Sequence, residues 1–249
     1  MPTAETEKEN AARSLVARNR LVAELLESEG ADKREAEHIL RIMDEFKEGF
    51  ALLRTCEFAA SFFGSARCTL GDNIYEDTKQ LAGRLSKAGF AIITGGGGGV
   101  MRAANHGAYE AGGRSIGFNI KIPEGQPLNE FVTDSLTFRH FFTRKVMLAY
   151  ASEVYIFLPG GFGTLDEFSE MVTLIQTKKV KRVPIVLLGK DYWTPYTDLF
   201  RTHLYEKYHT IDKEDLDIYH LVDSVDEAYA LITKLVPITG QRSIRQDTP

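Results

Sequence analysis

Short apolar runs alternate along most of the chain with longer stretches in which apolar residues recur every three or four positions. The short runs predict buried strands, and the longer stretches predict amphipathic helices. We expect strands at residues 58–63, 91–94, 115–119, 154–158, 184–188 and 218–222. We expect helices at residues 74–88, 99–112, 138–151, 164–178, 192–206 and 224–235. This alternation predicts a Rossmann-like α/β fold, in which helices cover both faces of a mainly parallel sheet.

A separate helical pattern precedes the first predicted strand. Apolar residues recur at helical spacing between residues 11 and 53, with a break near Gly30, which predicts two helices. We therefore expect an N-terminal helical extension over residues 1–54, a Rossmann-like domain over 55–236 and a flexible polar tail over 237–249. The extension is expected to pack on the main domain or on a partner chain.

Composition narrows the class of protein. The chain has 249 residues, 43% of them hydrophobic, and a formal net charge of −5, so it has no global attraction to nucleic acid. The basic run at 178–182 is interpreted as a solvated helix end. Cys56 and Cys68 lie outside any metal-ligand spacing, which fits a reduced, cytoplasmic setting. Because the sequence shows neither an export signal nor a membrane-spanning apolar run, we expect no membrane partner.

The most specific signal is the segment 158–167 (LPGGFGTLDE), where a predicted strand ends and a helix begins. Gly160, Gly161 and Gly163 allow backbone amides to approach an anion closely. Thr164 can add its hydroxyl at the helix start, where unpaired amides and the helix dipole favour negative charge. The segment therefore predicts a phosphate-binding site.

Glu167 in the same segment has two interpretations. Thr164 and Glu167 have the spacing of a capping box. In a capping box, the Thr164 side chain would bond to the Glu167 amide, and the Glu167 side chain would bond to the Thr164 amide. Alternatively, the carboxylate acts on another part of the phosphate-bearing ligand. An isolated T-x-x-E favours the structural interpretation. The neighbouring glycines favour a function instead, because a helix cap does not need several residues without side chains.

A second glycine run, 95–99, also joins a predicted strand to a predicted helix. Val100 breaks the G-x-G-x-x-G pattern, and the Lys-Ser/Thr ending of a P-loop is missing, which disfavours a dinucleotide and ATP. A tight turn would explain this run alone. Beside the first glycine segment, ligand contact is favoured, with Gly96 and Gly99 as the expected points of close approach.

Other chemistries find less support. His106 and Glu110 have an i, i+4 spacing that suits a metal, but no third ligand is evident, so we expect a surface pair and no metal. Ser65 lacks the G-x-S-x-G elbow of a serine hydrolase. Lysine decarboxylation would require a pyridoxal phosphate site, for which Lys145 or Lys121 could be nominated, yet nothing specifies its remaining parts.

The segment 158–167 contains PGGxGTxxE, the signature of the LONELY GUY (LOG) family of nucleoside-monophosphate phosphoribohydrolases, formerly labelled possible lysine decarboxylases. The segments 63–67 (FGSAR), 94–101 (TGGGGGVM) and 141–145 (FFTRK) resemble the same family in the same order. The resemblance covers roughly residues 58–190 and the longer members carry an N-terminal extension. It implies hydrolysis of AMP or a cytokinin riboside monophosphate to free base and ribose 5-phosphate, without metal or organic cofactor.

The resemblance also implies roles for individual residues. Arg144 is expected to be the catalytic arginine that faces ribose and phosphate, and its permanently charged planar fork suits that task. Glu167 is expected to be the catalytic carboxylate near the ribose. Lys145 is balanced between a site role and an ion pair. Further expected nucleotide contacts are Gly64, Ser65, Arg67 and Met101, with Gly160, Gly161, Gly163 and Thr164 holding the 5′-phosphate.

Alternatives of other classes stay open. A nucleotide-binding or carrier protein could keep the phosphate site without turnover, and a general purine-salvage nucleosidase would share the same residues. Glu167 and Arg144 together favour an enzyme, because a pure binder would not need both. The apolar N-terminal helices and the resemblance both indicate a homo-oligomer, at least a dimer.

Overall fold

A computed structural model describes residues 16, 19–30, 32–122, 125 and 127–236. The predicted tail at 237–249 lies outside the described residues. The chain divides into two compact units, Met1–Ala51 and Leu52–Pro249. This division places the boundary close to the predicted end of the N-terminal extension at residue 54.

Two helices form the described part of the first unit, as the sequence predicts. The first, α1, spans residues 19–28, and the second, α2, spans Lys33–Leu53. Between them, Gly30 adopts a positive φ of 98°, a conformation that favours glycine. A carboxylate oxygen of Asp32 accepts a hydrogen bond of 2.9 Å from the Glu35 amide, which caps the start of α2.

The second unit is built on a seven-stranded, fully parallel sheet with the order β4-β3-β2-β1-β5-β6-β7. The strands are β1 (Phe58–Phe63), β2 (Phe90–Thr94), β3 (Ser115–Ile120), β4 (Asp134–Phe138), β5 (Val154–Phe157), β6 (Ile185–Leu188) and β7 (Tyr219–Val222). Every residue of β2, β3, β5 and β6 is buried. Because successive side chains point to opposite faces, both faces of the sheet are covered, and the predicted α/β fold is confirmed.

Helices connect the strands. They are α3 (Asn73–Lys87), α4 (Val100–Glu110), α5 (Phe141–Ala149), α6 (Phe162–Gln176), α7 (Lys190–Leu199) and α8 (Val225–Leu235), with a π-helix at Phe200–Lys207 and a 3₁₀ helix at Lys213–Asp217. The predicted helix at 192–206 is thus α7 continued by the π-helix. Among the described residues, no helix has both the length and the apolar character that a bilayer span requires.

The chain order of the strands creates a switch point at β1. Its two neighbours, β2 and β5, are reached by connections that run to opposite sides of β1. In open parallel sheets, such a point leaves a crevice at the carboxyl ends of the strands, where ligands bind. Here the loops that follow β1, β2 and β5 meet at that edge, and the last two contain the glycine-rich segments 95–99 and 160–163.

Candidate active site

A cleft of about 750 Å³ opens at the switch point. Its walls come from the end of β1 and the loop after it, the loop after β5 and the first turns of α6. Single residues of α3, α4, α7 and the loop after β2 also line it, with two residues of α5. Two backbone hydrogen bonds at Ser65 join these loops. The Ser65 amide donates to the Pro159 carbonyl over 2.9 Å, and the Val100 amide donates to the Ser65 carbonyl over 2.8 Å.

The predicted phosphate-binding segment forms one wall of the cleft. Gly161 is the residue that precedes the first turn of α6, and its carbonyl accepts hydrogen bonds of 3.0 and 3.1 Å from the amides of Thr164 and Leu165. The amides before Thr164 therefore lie at the unpaired, positively polarised end of the helix. Nothing lies within 4 Å of a Cβ atom built at Gly161 or Gly163. This helix end is open to the cleft and suits an anion.

Gly160 is required by packing within the same turn. A Cβ atom at this position would overlap the Oγ1 and Cβ atoms of Thr164, whose side chain is buried against the turn. On the other side, the Tyr192 hydroxyl donates a hydrogen bond of 2.7 Å to the Gly160 carbonyl. The glycine turn is therefore held between α6 and α7.

The capping-box interpretation of Glu167 is wrong. Helix α6 begins at Phe162, two residues before the predicted start, and the residue that precedes it is Gly161, which has no side chain to form a cap. Thr164 is the third residue of the helix, and its amide bonds to Gly161. Glu167 therefore lies inside the second turn and has no role at the helix end.

The Glu167 carboxyl faces the cleft from a buried position, with only 7% of the residue exposed. Burial raises the pKa of Glu167 to about 7, against the opposing charges of Lys145 and Arg144. Desolvation disfavours the carboxylate more than these two cations favour it. The group therefore gains and loses its proton near neutral pH, which is the property of a residue suited to acid–base or charge-stabilising chemistry.

Arg144 lies on α5 and faces the same cleft. Its Nε donates a hydrogen bond of 2.7 Å to the Phe118 carbonyl, which orients the guanidinium. Burial lowers the pKa of Arg144, and the charge of Glu167 opposes this effect. A Cβ atom at Gly95 would overlap the guanidinium nitrogen Nη2, so this glycine makes room for the arginine fork.

Lys145 forms ion pairs in the structure. Its Nζ lies 2.6 Å from Asp166 Oδ2 and 3.3 Å from Glu170 Oε2, and Lys145 is not among the described residues that line the cleft. The lysine thus fixes α5 to α6 beside the site. Although burial lowers it, the acidic partners raise the pKa of Lys145, which disfavours the neutral amine that a Schiff base requires.

Gly96 and Gly99 have a packing role in the structure. Both have positive φ angles, of 72° and 63°. A Cβ at Gly96 would lie 2.7 Å from Leu128 Cδ1, and one at Gly99 would overlap Ser65 and Ala66. Among the described residues, the cleft wall includes Gly95 but neither of these two glycines. The close approach that they permit is to the protein's own chain.

The remaining predicted contacts all line the cleft: Gly64, Ser65, Arg67 and Met101. Further residues that line it were not predicted, among them Phe141, Phe162 and Tyr192. Phe162 is 92% exposed, which is unusual for a large apolar side chain. Tyr192 could have been found from its place in the chain, because it follows the carboxyl end of β6.

His106 and Glu110 form a hydrogen-bonded pair of 2.8 Å on α4, and no group of potential metal ligands occurs in the part of the chain that the structure describes.

Comparison with known proteins supplies sequence relatives. Residues 101–232 match a protein family described as “Possible lysine decarboxylase”. A “Probable cytokinin riboside 5'-monophosphate phosphoribohydrolase” of Oryza sativa subsp. japonica is 31% identical over 140 residues, which are 55% of this chain and 64% of the relative. A “Cytokinin riboside 5'-monophosphate phosphoribohydrolase” of Arabidopsis thaliana is 29% identical over 146 residues, which are 57% of this chain and 61% of the relative. The chain therefore spans less than two thirds of the length of these relatives.

A solved structure shares the fold. The molybdenum cofactor carrier protein from Chlamydomonas reinhardtii matches with a TM-score of 0.57 and 23% sequence identity, over 72% of this chain and 98% of that one. At this identity, the likeness extends to the Rossmann-like architecture alone.

The burial of Glu167 predicts a pH-dependent effect on stability. Its pKa is about 7 in the folded protein, above the ordinary value of 4.5, so the folded state binds more protons between these pH values and loses stability as the pH rises through them. We expect Glu167→Gln to raise the free energy of unfolding at pH 8 by up to about 3 kcal/mol, with little effect near pH 4. Urea unfolding of both proteins at the two pH values measures this difference. An equal effect at both would contradict it.

Proposed function

The chain belongs to the family described as “Possible lysine decarboxylase”, and within that family we propose that it hydrolyses the N-glycosidic bond of a nucleoside 5′-monophosphate. The products would be a free base and ribose 5-phosphate. Membership of the family confirms the resemblance to LONELY GUY proteins that the four sequence motifs indicated. The proposed substrate is AMP or its N6-modified cytokinin form, since both plant relatives are described as cytokinin riboside 5'-monophosphate phosphoribohydrolases.

One observation carries the proposal: a buried carboxyl and an anion-binding helix end share one cleft. Glu167 follows Gly163 by four residues, or about 6 Å along the helix axis. A ribose ring that joins a phosphate at the helix end to a base deeper in the cleft would lie beside this carboxyl. The spacing therefore suits a 5′-phosphorylated ribose better than a phosphate alone.

The reaction explains why a carboxyl is needed there. Cleavage of an N-ribosidic bond passes through a state with oxocarbenium character, and the carboxylate of Glu167 would stabilise its positive charge or position the attacking water. Arg144 would contact the ribose and phosphate. Binding of the remote phosphate at Gly160, Gly161, Gly163 and Thr164 would orient the ribose, so that its binding energy contributes to the reaction.

The same geometry disfavours a carrier. A carboxylate close to a bound phosphate repels it, and burial of Glu167 costs stability above neutral pH. A protein that only bound nucleotides would gain from losing this group. We nevertheless keep a non-catalytic binder and a general purine-salvage nucleosidase as alternatives. We also propose a cytoplasmic location, because both cysteines are free thiols.

We expect the protein to release adenine and ribose 5-phosphate from AMP without added metal, and to act poorly on adenosine. The reason is that adenosine lacks the group that the glycine turn would hold. A panel of nucleosides and nucleoside monophosphates, assayed for free base by chromatography, measures this preference. Equal rates on AMP and adenosine would refute the role of the phosphate site, and no release from any compound would favour the binder.

Two variants control this experiment. Glu167→Gln should lower turnover of AMP by about 10² or more, because glutamine cannot supply the negative charge. Asp166→Asn removes a carboxylate from the adjacent, more exposed position, where it pairs with Lys145. Asp166 also lines the cleft, but we expect turnover of this variant to stay within about tenfold of the unmodified protein, because Asp166 is half exposed and Lys145 keeps its second partner, Glu170. Similar losses in both variants would contradict a specific role for Glu167.

We also propose that the chain forms a homo-oligomer, at least a dimer. In the first unit, Leu21 on α1 is 66% exposed and Leu25 is 58% exposed, and three further apolar side chains are also exposed: Val16, Met43 and Phe50. Contact with a second copy would remove this apolar surface from water. Light scattering at micromolar concentration should give a mass at least twice the 27.9 kDa of one chain. A mass near 27.9 kDa would count against assembly.

A further inference from the structure

Tyr192 connects α7 to the glycine turn of the cleft. It is the third residue of α7, and its hydroxyl donates a hydrogen bond of 2.7 Å to the carbonyl of Gly160. The neighbouring Trp193 is fully buried, and its Nε1 donates a hydrogen bond of 3.2 Å to the Phe157 carbonyl at the end of β5. The start of α7 is therefore anchored to the strand from which the turn emerges, so Tyr192 has a rigid base.

The bond to Gly160 constrains a peptide unit that has little stiffness of its own. Neither Gly160 nor Gly161 has a Cβ atom, so rotation of the peptide between them meets little steric resistance. Larger residues cannot supply the stiffness at position 160, because any Cβ would overlap Thr164. A side chain from another element has to supply it, and Tyr192 is placed to do so.

The orientation of this peptide decides which charge it presents to an anion. The carbonyl and amide of a trans peptide unit point in opposite directions. When Tyr192 holds the Gly160 carbonyl, the Gly161 amide is turned the other way, at the open end of α6. A rotated peptide would direct the partially negative carbonyl oxygen at a bound phosphate, which would weaken binding.

We propose that Tyr192 is a positioning residue that holds the peptide between Gly160 and Gly161 in the orientation that accepts a 5′-phosphate. The inference rests on the proposed function for the identity of the ligand, and it adds a residue that the sequence motifs do not contain. Burial, together with a hydrogen bond with Tyr196, raises the pKa of Tyr192 to about 12. The hydroxyl thus remains a donor throughout the neutral range.

The test removes one hydroxyl. Tyr192→Phe keeps the ring contacts with Trp193 and Tyr196, so we expect it to fold, and a thermal melt verifies this. Calorimetry should show that ribose 5-phosphate binds about tenfold more weakly to the variant, because the Gly160 carbonyl is no longer held. Adenosine, which lacks the phosphate, should bind equally to both proteins. Tyr109→Phe, which removes a hydroxyl from an exposed ring on α4, should change neither affinity.

The outcomes separate this inference from the proposed function. Unchanged affinity for ribose 5-phosphate in Tyr192→Phe would overturn the positioning role, and so would an equal loss for ribose 5-phosphate and adenosine. If the unmodified protein binds ribose 5-phosphate but hydrolyses no nucleotide, the proposed function fails, and the affinity ratio still decides the role of Tyr192. If the unmodified protein does not bind ribose 5-phosphate, both proposals fail.

Discussion

The site depends on the close approach of three loops around the backbone of Ser65. Its amide bonds to Pro159 and its carbonyl accepts from Val100, so the loop after β1 is tied to the starts of both α4 and α6. This approach requires residues without side chains at Gly64 and Gly99, where a Cβ would collide with Val100 and with the loop itself. Close packing of the protein's own backbone therefore explains part of the glycine content that first suggests a ligand.

The second constraint is electrostatic. Packing α5 against α6 places Arg144, Lys145 and Glu167 in one partly dehydrated region, where burial outweighs the attraction of the two cations for the carboxylate. The pKa of Glu167 rises as a result, and the nearby carboxylates of Glu170 and Asp166 raise it further. The open end of α6 lies in the same cleft. The architecture thus brings together an anion site and a carboxyl group whose pKa is near 7, and the proposed hydrolysis uses both.

Much of this arrangement follows from the sequence, and the exceptions have physical causes. Largely apolar runs such as β2 and β5 identified the buried strands, whereas β4 was missed because its side chains alternate between half-buried and exposed positions. The sequence predicts the start of α6 at residue 164, two residues late, because Gly163 has a low helix propensity. In the structure, the first turn includes this glycine. Tyr192 could not be identified as a partner of Gly160. The two residues are 32 positions apart, and a hydrogen bond to a backbone carbonyl leaves no pattern in the sequence.

The central claim is that Glu167 acts in its ionised form and gains its proton near pH 7. The dependence of kcat/KM on pH for AMP tests it most directly, because this profile reports ionisations of the free enzyme and substrate. We predict that kcat/KM rises through pH 7 to a plateau, and that Glu167→Gln retains only a limb near pH 6 from the phosphate itself. A flat profile between pH 6.5 and 8, or the same limb near pH 7 in the variant, would contradict the claim.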